Sequence, residues 1–304
     1  MPNKKVSILL STYNGEKYLK AQLKSLTEQK YDNLEIIIRD DGSTDSTREI
    51  LRDFSKNYIN LILYFEENIG VKRSFFRLME LAKGRSDYYA FCDQDDVWDP
   101  DKILKAVESL ESLESEVRLY CSALNLVDED LNFIKKTKNL KADKRNAMIQ
   151  NIVTGCTSII SNKLLEISLT NLPEETKIEM HDSWLYLIGV FFGEVYFDSN
   201  SYILYRQHSS NEVGMPSNRI QILKNSYFGL KNEYKHRIHT KQLQEFYKIY
   251  CKTLNNSDKK LIETFLYNKT SMMRRYKILK KTKVFKQSKI KTLGFRIMFV
   301  LNLV

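Results

Sequence analysis

The chain has 304 residues, 42% hydrophobic and 28% charged, with a net charge of +10, values that describe an ordinary globular protein of one large domain or two. Its four cysteines lie far apart and form no Cys-x-x-Cys pair, which argues against a zinc ribbon or a disulfide framework and favours a reducing cytosol. No apolar run reaches about 18 residues and no leader-like segment follows the N-terminus, so we expect neither a membrane span nor a signal peptide.

Strand-like and helix-like patterns alternate through the first part of the chain. The strand-like runs cover residues 5–10, 34–39, 61–65 and 88–92, and the helix-like runs that follow them cover 16–28, 46–56, 71–83 and 101–115. This alternation predicts βαβ units and an α/β fold with a mainly parallel, Rossmann-like central sheet and flanking helices. Ligands of such sheets bind beyond the carboxyl ends of the strands.

The pattern is less regular in the middle of the chain and helical at its end. Residues 118–127 are predicted to form one strand, 183–192 an apolar helix, and the part after residue 218 only helices. Residues 1–215 carry 27 Lys and Arg against 34 Asp and Glu, whereas 216–304 carry 21 against 4. We therefore predict an acidic domain over 1–215 and a basic helical region over 216–304, each with its own partners.

Two groups of aspartates follow buried strands of the predicted sheet. Asp40 and Asp41 follow the second strand, and Asp93, Asp95 and Asp96 follow the fourth. Crowded carboxylates repel one another and are costly to remove from water. A divalent cation with a phosphate-bearing ligand would offset that cost, because hard cations prefer oxygen ligands.

Several common nucleotide and hydrolase motifs are absent from the sequence. No G-x-G-x-x-G follows the first strand, and neither G-x-x-x-x-G-K-[ST] nor G-x-S-x-G occurs. A dinucleotide-binding fold, a P-loop kinase and a serine hydrolase therefore lose support.

Three motifs in order along the chain carry a resemblance to a known family. They are V-S-I-L-L-S-T-Y-N-G at 6–15, E-I-I-I-R-D-D-G-S-T-D-S-T at 35–47 and F-C-D-Q-D-D-V-W at 91–98. Together they resemble family-2 glycosyltransferases of the GT-A fold, closest to the rhamnosyltransferase-like branch that builds bacterial surface polysaccharides such as capsule. V-T-G-C-T at 153–157, M-H-D-S-W-L at 180–185 and Y-R-Q-H-S-S-N at 205–211 extend the resemblance, which covers roughly residues 4–215.

The resemblance implies a donor-nucleotide site at the ends of the first two strands. Thr12, Tyr13 and Asn14 would lie against the base and the ribose of the nucleotide. Either Asp40 or Asp41 would accept a hydrogen bond from the base. The competing interpretation of the second motif is a turn followed by a helix cap.

The resemblance also implies a metal site for Mg²⁺ or Mn²⁺ at the D-x-D motif. Asp93 and Asp95 match that motif, with Asp95 the more direct ligand and Asp93 also facing the donor, and His208 completes the metal shell. Asp96 would shape the loop or meet the donor sugar, and Trp98 would border the donor site. An ordinary loop histidine at 208 and a core anchor at Trp98 are the alternatives.

An acceptor hydroxyl needs a base, because it is a poor nucleophile while protonated. Asp182 is the candidate, at the place where the family usually has Glu-Asp and this chain has His181-Asp182. One carboxylate and a single displacement imply inversion of configuration at the sugar. A helix N-cap is the alternative for Asp182, and Gly155 and Cys156 are either acceptor contacts or backbone packing.

The predicted function is transfer of a sugar, L-rhamnose from dTDP-rhamnose or a hexose from a UDP-sugar, to a hydroxyl of a growing or lipid-linked surface glycan. We expect a cytoplasmic protein, peripheral on the inner face of the cell membrane. Its basic end would dock on anionic lipid, pack against a second subunit, or remain a solvated helical face.

Two other functions compete with glycosyl transfer. A sugar nucleotidyltransferase also pairs aspartates with Mg²⁺, but it usually has a glycine-rich phosphate loop after the first strand. A nucleic-acid-binding protein would use the basic tail, but the tail has no zinc motif or RNP-like aromatic pattern. We therefore expect no nucleic-acid partner.

Overall fold

A computed structural model describes residues 4–58, 60–208, 237–267 and 269–303 of the chain. Contacts within the chain divide it into two units. The first unit comprises Met1–Asn139, Val153–Thr170 and Gly193–Gly214, and the second comprises Leu140–Ile152, Asn171–Phe192 and Met215–Val304. The functional boundary near residue 215 stays a prediction.

The first unit contains all the strands of the described chain, in two sheets. The strands are β1 (Val6–Thr12), β2 (Leu34–Asp41), β3 (Leu61–Glu66), β4 (Tyr88–Cys92), β5 (Val97–Trp98), β6 (Arg118–Ser122), β7 (Asn125–Val127), β8 (Phe133–Lys136), β9 (Ile159–Ser161), β10 (Glu194–Asp198) and β11 (Ile203–Arg206). The larger sheet has the order β10-β6-β9-β4-β1-β2-β3, and the smaller one has the order β5-β11-β7-β8. The predicted α/β fold class is confirmed.

The central strands of the larger sheet are apolar on both faces, as expected for parallel strands covered by helices. Ile8, Leu9, Ile37, Ile38 and Phe91 are completely buried. β1 lies between β4 and β2 and is parallel to both, so the carboxyl ends of these three strands meet at one edge. β9 is antiparallel to β4 and β6, which makes the sheet mixed.

The prediction of one strand over 118–127 is wrong, because the chain changes sheets inside that range. β6 pairs in the larger sheet and β7 in the smaller one. Between them, the Ala123 amide donates to the Asp198 carbonyl and the Leu124 amide donates to Thr137 Oγ1. These bonds replace the ladder that a continuous strand would have made.

The helices of the described chain are α1 (Leu19–Thr27), α2 (Thr47–Ser55), α3 (Val71–Ala82), α4 (Lys102–Glu111), α5 (Lys144–Ala147), α6 (Asn162–Thr170), α7 (His181–Phe192), α8 (Ile238–Tyr250), α9 (Asn256–Leu266), α10 (Met272–Thr282) and α11 (Lys289–Val300). α1 begins at Leu19, three residues after the predicted start at residue 16, because the residues before it form a loop that is hydrogen-bonded to the loop after β2. The side chain of Asn14 accepts from the Thr44 amide at 2.9 Å and does not cap the helix.

The second unit is helical in its described part, as predicted for the end of the chain. Its core contains an aromatic cluster in which Trp184 packs against Phe246 and Tyr250, with ring centroids 5.9 and 6.0 Å apart. Lys144 and Asp258 form an ion pair at 2.7 Å in the same unit. Within the residues that the structure describes, every helix is too short or too polar to cross a bilayer.

Candidate active site

Three loops at the carboxyl edge of the larger sheet are tied together by hydrogen bonds. The Asn14 amide donates to Ser43 Oγ at 2.9 Å, and the Gly15 amide donates to Thr47 Oγ1 at 2.8 Å. These bonds join the loop after β1 to the loop after β2. Asn14 adopts φ 45°, a left-handed conformation that asparagine tolerates better than most residues.

The loop after β4 is joined to the loop after β1 by one side chain. The Tyr13 amide donates to Gln94 Oε1 at 2.8 Å, and Gln94 Nε2 donates to the Tyr13 carbonyl at 2.9 Å. The Tyr13 ring itself is about half exposed, at 49%. The two predicted aspartate groups therefore lie on neighbouring, connected loops of one edge.

Asp40 lies at the end of β2 and is completely buried, with a donor for each of its lone pairs. Its Oδ1 accepts from Thr12 Oγ1 at 3.0 Å and from Ser43 Oγ at 2.5 Å. Its Oδ2 accepts from the Ser43 amide at 3.0 Å and from Arg48 Nε at 2.6 Å. This carboxylate holds the turn after β2 and is fully occupied by protein donors.

Asp41 is also buried and is paired with an arginine. Its Oδ1 accepts from Arg39 Nη1 at 2.6 Å and from the Ile69 amide at 2.8 Å, while Oδ2 accepts from the Gly70 amide at 3.0 Å. Arg39, 1% exposed, also donates to Glu66 at 2.8 Å. Asp41 thus has three donors, one fewer than Asp40.

The segment after β4 has a different environment. Asp95 Oδ2 lies 2.8 Å from His208 Nε2, so the structure brings two of the predicted metal ligands together. Arg206 holds this segment through its backbone amide, which donates to Asp96 Oδ1 at 3.1 Å, and through Nε, which donates to the Asp95 carbonyl at 2.8 Å. The guanidinium of Arg206 also stacks on Tyr18, 4.4 Å from the ring centroid.

Asp93, Asp96 and Cys156 form a tight cluster beside that pair. Each offers one ligand atom, and these atoms all lie within 4.8 Å of one another. Burial, reinforced by the charge of Asp95, raises the pKa of Asp93 to about 7. Burial also raises the pKa of Asp96 well above its usual range, and the charges of Asp95 and Asp93 add to the effect. The cluster therefore lacks the positive charge it needs to ionise fully.

The residues at this position suit a divalent cation. Asp96 is fully buried, and its Oδ2 accepts no hydrogen bond from a nitrogen or oxygen donor in the described part of the chain. Carboxylate oxygens and a nearby imidazole are ligands that Mg²⁺ or Mn²⁺ accepts. The donor set at Asp93, Asp95, Asp96 and His208 therefore fits the predicted kind of ion.

Lys102 lies under the same cluster and was missed by the sequence analysis. Its side chain is 1% exposed, and its ammonium donates to the Cys156 carbonyl at 2.6 Å and lies 3.1 Å from the Trp98 ring centroid. Burial lowers the pKa of this ammonium to about 8, although the nearby thiols and aspartates oppose that shift. Its sequence position, after Asp-Pro-Asp at a helix start, suggests an exposed side chain and gave no signal of this burial.

The remaining predicted residues of the first unit lie around this cluster. Gly155 and Cys156 form a buried 3₁₀ turn, Gly155–Thr157, just before β9. Trp98 is 2% exposed and forms part of β5. The last three residues of the motif at 205–211, residues 209–211, lie outside the described range, whereas His208 lies inside it.

Asp182, the predicted base, belongs to the second unit. It lies in the first turn of α7, and its Oδ1 accepts from Asn151 Nδ2 at 3.1 Å and from the Ser183 amide at 2.6 Å. The preceding residue, His181, is buried, and burial lowers the pKa of its imidazole to about 3. His181 is therefore neutral at physiological pH.

Comparison with protein families matches residues 7–166 to "Glycosyl transferase family 2". A dTDP-rhamnosyl transferase, RfbG of Shigella flexneri, is 32% identical over 220 residues, which are 67% of this chain and 73% of that protein. A putative teichuronic acid biosynthesis glycosyltransferase, TuaG of Bacillus subtilis strain 168, is 31% identical over 163 residues, or 52% of this chain and 62% of that protein.

Solved structures share the fold at low sequence identity. S. aureus TarS 1-349 in complex with UDP-GlcNAc superimposes with a TM-score of 0.62 at 19% identity, covering 97% of this chain and 81% of that one. The mannosyltransferase PcManGT from Pyrobaculum calidifontis, in complex with GDP-Man and Mn²⁺, gives a TM-score of 0.51 at 16% identity, covering 98% and 86%.

These likenesses, together with the aspartate groups at one edge of the sheet, decide among the functions that the sequence left open. The GT-A fold and nucleotide-sugar-dependent glycosyl transfer, both predicted from the sequence, are confirmed. The chain is a glycosyltransferase and belongs to glycosyl transferase family 2.

Proposed function

We propose that this glycosyltransferase moves L-rhamnose from dTDP-rhamnose, or a hexose from a UDP-sugar, onto a hydroxyl of a growing bacterial surface glycan, with inversion and with a divalent cation. The observation that carries the proposal is the cluster of Asp93, Asp95, Asp96 and His208 at the carboxyl edge of the sheet. The names of RfbG and TuaG support rhamnose and a surface polysaccharide, respectively.

The cation would be Mg²⁺ or Mn²⁺, held by Asp95, Asp93 and His208, with Asp96 and Cys156 at the back of the site. A bound divalent cation would neutralise the negative charge that grows on the departing diphosphate and so stabilise the transition state. Arg206 positions this site, because its Nε holds the backbone carbonyl of Asp95 and its backbone amide holds the side-chain carboxylate of Asp96.

The nucleotide would lie against Thr12, Tyr13 and Asn14, and its base would donate a hydrogen bond to a carboxylate at the end of β2. The number of protein donors favours Asp41 for that contact. Each oxygen of Asp40 already accepts two hydrogen bonds, whereas Asp41 Oδ2 accepts one. Asp40 would then act by fixing Thr12 and the turn after β2.

Asp182 would serve as the base that takes the proton of the acceptor hydroxyl. Its carboxylate is oriented by Asn151 Nδ2 and by the Ser183 amide, and orientation of a base is what proton transfer requires. The neighbouring His181 is a poor candidate, because its low pKa leaves it a weak proton acceptor. Gly155 and Cys156 are proposed to lie on the acceptor side, and Trp98 to support the donor-sugar side.

The acceptor is proposed to be lipid-linked, which would place the enzyme at the inner face of the cell membrane. The basic region over 216–304 supports contact with anionic lipid, because it contains 21 cationic residues and 4 acidic ones. Packing of that region against a second copy of the chain is the alternative.

A thermal-shift screen of nucleoside diphosphates and sugar nucleotides, with and without Mn²⁺, tests the donor and the metal together. We expect one nucleotide class to raise the melting temperature in a metal-dependent way. Stabilisation that is equal with and without Mn²⁺ would argue against the metal site, and no stabilisation by any sugar nucleotide would argue against the donor assignment.

The base is tested with Asp182→Asn. We expect this variant to bind the donor as the wild type does and to lose transfer by about a hundredfold to ten-thousandfold, since general-base catalysis contributes a factor of that size. Asn151→Ala, which loosens the same carboxylate, should give a smaller loss. Undiminished turnover of Asp182→Asn would remove Asp182 from the mechanism.

A further inference from the structure

The last two helices of the second unit enclose an exposed apolar groove. The groove has a volume of about 540 Å³ and lies between α10 and α11, lined by Tyr276 and Leu279 on one side and by Leu293, Ile297 and Leu301 on the other. Arg275 fixes the two helices, because its Nε donates to the Val300 carbonyl at 2.7 Å. The groove is therefore part of a defined helical pair.

α11 is apolar on two opposite faces, and only one of them is used inside the unit. Phe295 and Phe299 are buried, and Phe299 stacks on Phe265 with centroids 5.2 Å apart. The other face repeats at helical spacing and is exposed, with Ile290 at 84% and Leu293 at 61%. An exposed apolar face of this extent on a water-facing helix indicates an interaction site.

Cationic side chains surround that face. Lys280, Lys283 and Arg296 line the groove itself. Residues 264–304 contain eleven Lys and Arg and no Asp or Glu. An exposed apolar face bordered by cationic side chains, in a segment without acidic residues, is complementary to the boundary of an anionic bilayer, where phosphate groups border acyl chains.

We propose that the α10–α11 groove, together with the exposed face of α11, inserts into the headgroup layer of an anionic phospholipid membrane and takes up acyl chain. This inference rests on the membrane location proposed above and assigns it to a surface, but it does not depend on the transfer chemistry. The proposed membrane contact is thus made by the helical pair α10–α11 and not by the end of the chain alone.

The charge pattern argues against the two other kinds of partner. A symmetric contact with a second copy would bring the same cationic face against itself, which costs free energy. A nucleic acid would match the charge, but it offers no apolar surface for Ile290, Leu293 and Ile297. Anionic lipid satisfies both the charge and the apolar face.

The test is flotation of the full-length protein with vesicles of phosphatidylcholine alone or mixed with phosphatidylglycerol. We expect flotation with the anionic vesicles only. The double variant Leu293→Ser/Ile297→Ser should bind these vesicles at least about tenfold more weakly, because both side chains lose their apolar contact. Lys280→Gln/Arg296→Gln should lose about thirtyfold at low salt and less at high salt.

Matched controls make the same changes at exposed positions elsewhere. Phe133→Ser/Leu172→Ser and Lys83→Gln/Lys163→Gln should bind vesicles like the wild type. Melting temperatures check that every variant folds, and Asp182→Asn should float normally while it fails to transfer sugar. That last result separates failure of the membrane surface from failure of the proposed chemistry.

Three results would overturn the proposal. One is equal flotation of Leu293→Ser/Ile297→Ser and the wild type, and a second is no preference for phosphatidylglycerol. The third is a wild-type protein that ignores vesicles and forms an oligomer that these substitutions dissociate, since that outcome assigns the groove to a second copy of the chain.

Discussion

The two aspartate groups at the edge of the sheet share their residue type and their place in the fold but have opposite electrostatic environments. Asp40 and Asp41 accept seven hydrogen bonds between them, and arginines contribute two of these. Asp93 and Asp96 are held at raised pKa values by burial, and Asp96 Oδ2 accepts nothing from a nitrogen or oxygen donor in the described residues. Protein donors therefore compensate the charge of the first group, whereas the second has a donor set that fits the cation proposed above.

A carboxylate at a strand end therefore does not by itself indicate a ligand site. The relevant quantity is the balance between acceptors and protein donors around each carboxylate. Substitutions in the first group should cost stability, and substitutions in the second should cost metal binding and turnover.

The largest effect is expected from Asp95→Asn. The variant should lose transfer by about a thousandfold or more, because it removes a proposed cation ligand beside His208. Its free energy of unfolding should stay within about 1 kcal/mol of the wild type. Mn²⁺ titration by calorimetry and urea unfolding measure the two effects, with Asp130→Asn at an exposed site as the control.

Retained Mn²⁺ binding in Asp95→Asn would place the cation elsewhere in the cluster. Asp93→Asn and Asp96→Asn would then decide between the remaining carboxylates. A large loss of stability in Asp95→Asn, in contrast, would break the comparison, since it would give the second group a structural role like that of the first.

The next effect is the cost of Asp41→Asn, which we expect to lower the free energy of unfolding by about 3 kcal/mol. The change leaves the buried Arg39 without one of its two carboxylate partners, and breaking a buried pair from one side costs 3–5 kcal/mol. The matched variant Asp96→Asn should be neutral or stabilising in metal-free buffer, because burial and the neighbouring aspartates already disfavour the charged form of this carboxyl, and an asparagine oxygen can still accept from the Arg206 amide. Equal costs in urea unfolding would contradict the division.

The third effect is a pH dependence confined to the second group. The pKa of Asp93 is about 7 in the folded protein, whereas the ordinary value, which applies to the unfolded chain, is 3.8. Between these two pH values the folded state therefore binds a proton that the unfolded chain has released. Stability of metal-free protein should therefore fall as the pH rises from about 4 to 7, by about 2 kcal/mol after allowance for partial exposure. Thermal unfolding in chelator across this range measures the slope.

Two controls connect that slope to the cluster. Asp93→Asn should reduce the slope and leave the part that Asp96 contributes, whereas Asp41→Asn should leave the slope unchanged. Excess Mn²⁺ should restore the stability lost at neutral pH, because the cation takes the place of the proton. A slope of unchanged size in Asp93→Asn would mean that other groups cause it.

The sequence predicts the larger features of this fold because they depend on local periodicity. The alternating strands and helices up to residue 115 and the position of both aspartate groups at strand ends follow from apolar patterns and short motifs. The break within 118–127 is not predictable in this way, because Ala123 and Leu124 find their partners at Asp198 and Thr137. Those partners are distant in sequence and leave no local signal.

The candidate site is predictable in its residue types and not in its electrostatics. Asp95 and His208 lie together as the resemblance implies. The number of donors around each carboxylate depends on tertiary contacts, so sequence could not separate Asp41 from Asp96. Lys102 shows the same limit, since a lysine at the first position of a helix is normally solvated and here it is buried beneath Cys156.

The smallest effect concerns Gln94, the side chain that joins the two groups through the loop after β1. Gln94→Ala removes two hydrogen bonds to the backbone of Tyr13, at 2.8 and 2.9 Å, and should cost about 1 kcal/mol of stability. Because Tyr13 is proposed to face the nucleotide, the KM for the donor should rise about fivefold while kcat changes little. Gln29→Ala is the control, since Gln29 also bonds to the backbone: its Nε2 donates to the carbonyls of Ser25 and Asp99, and its Oε1 accepts from the Ile103 amide. It should lower stability by at least as much with an unchanged KM, and a rise in KM for both variants would show that loss of stability alone accounts for the effect at Gln94.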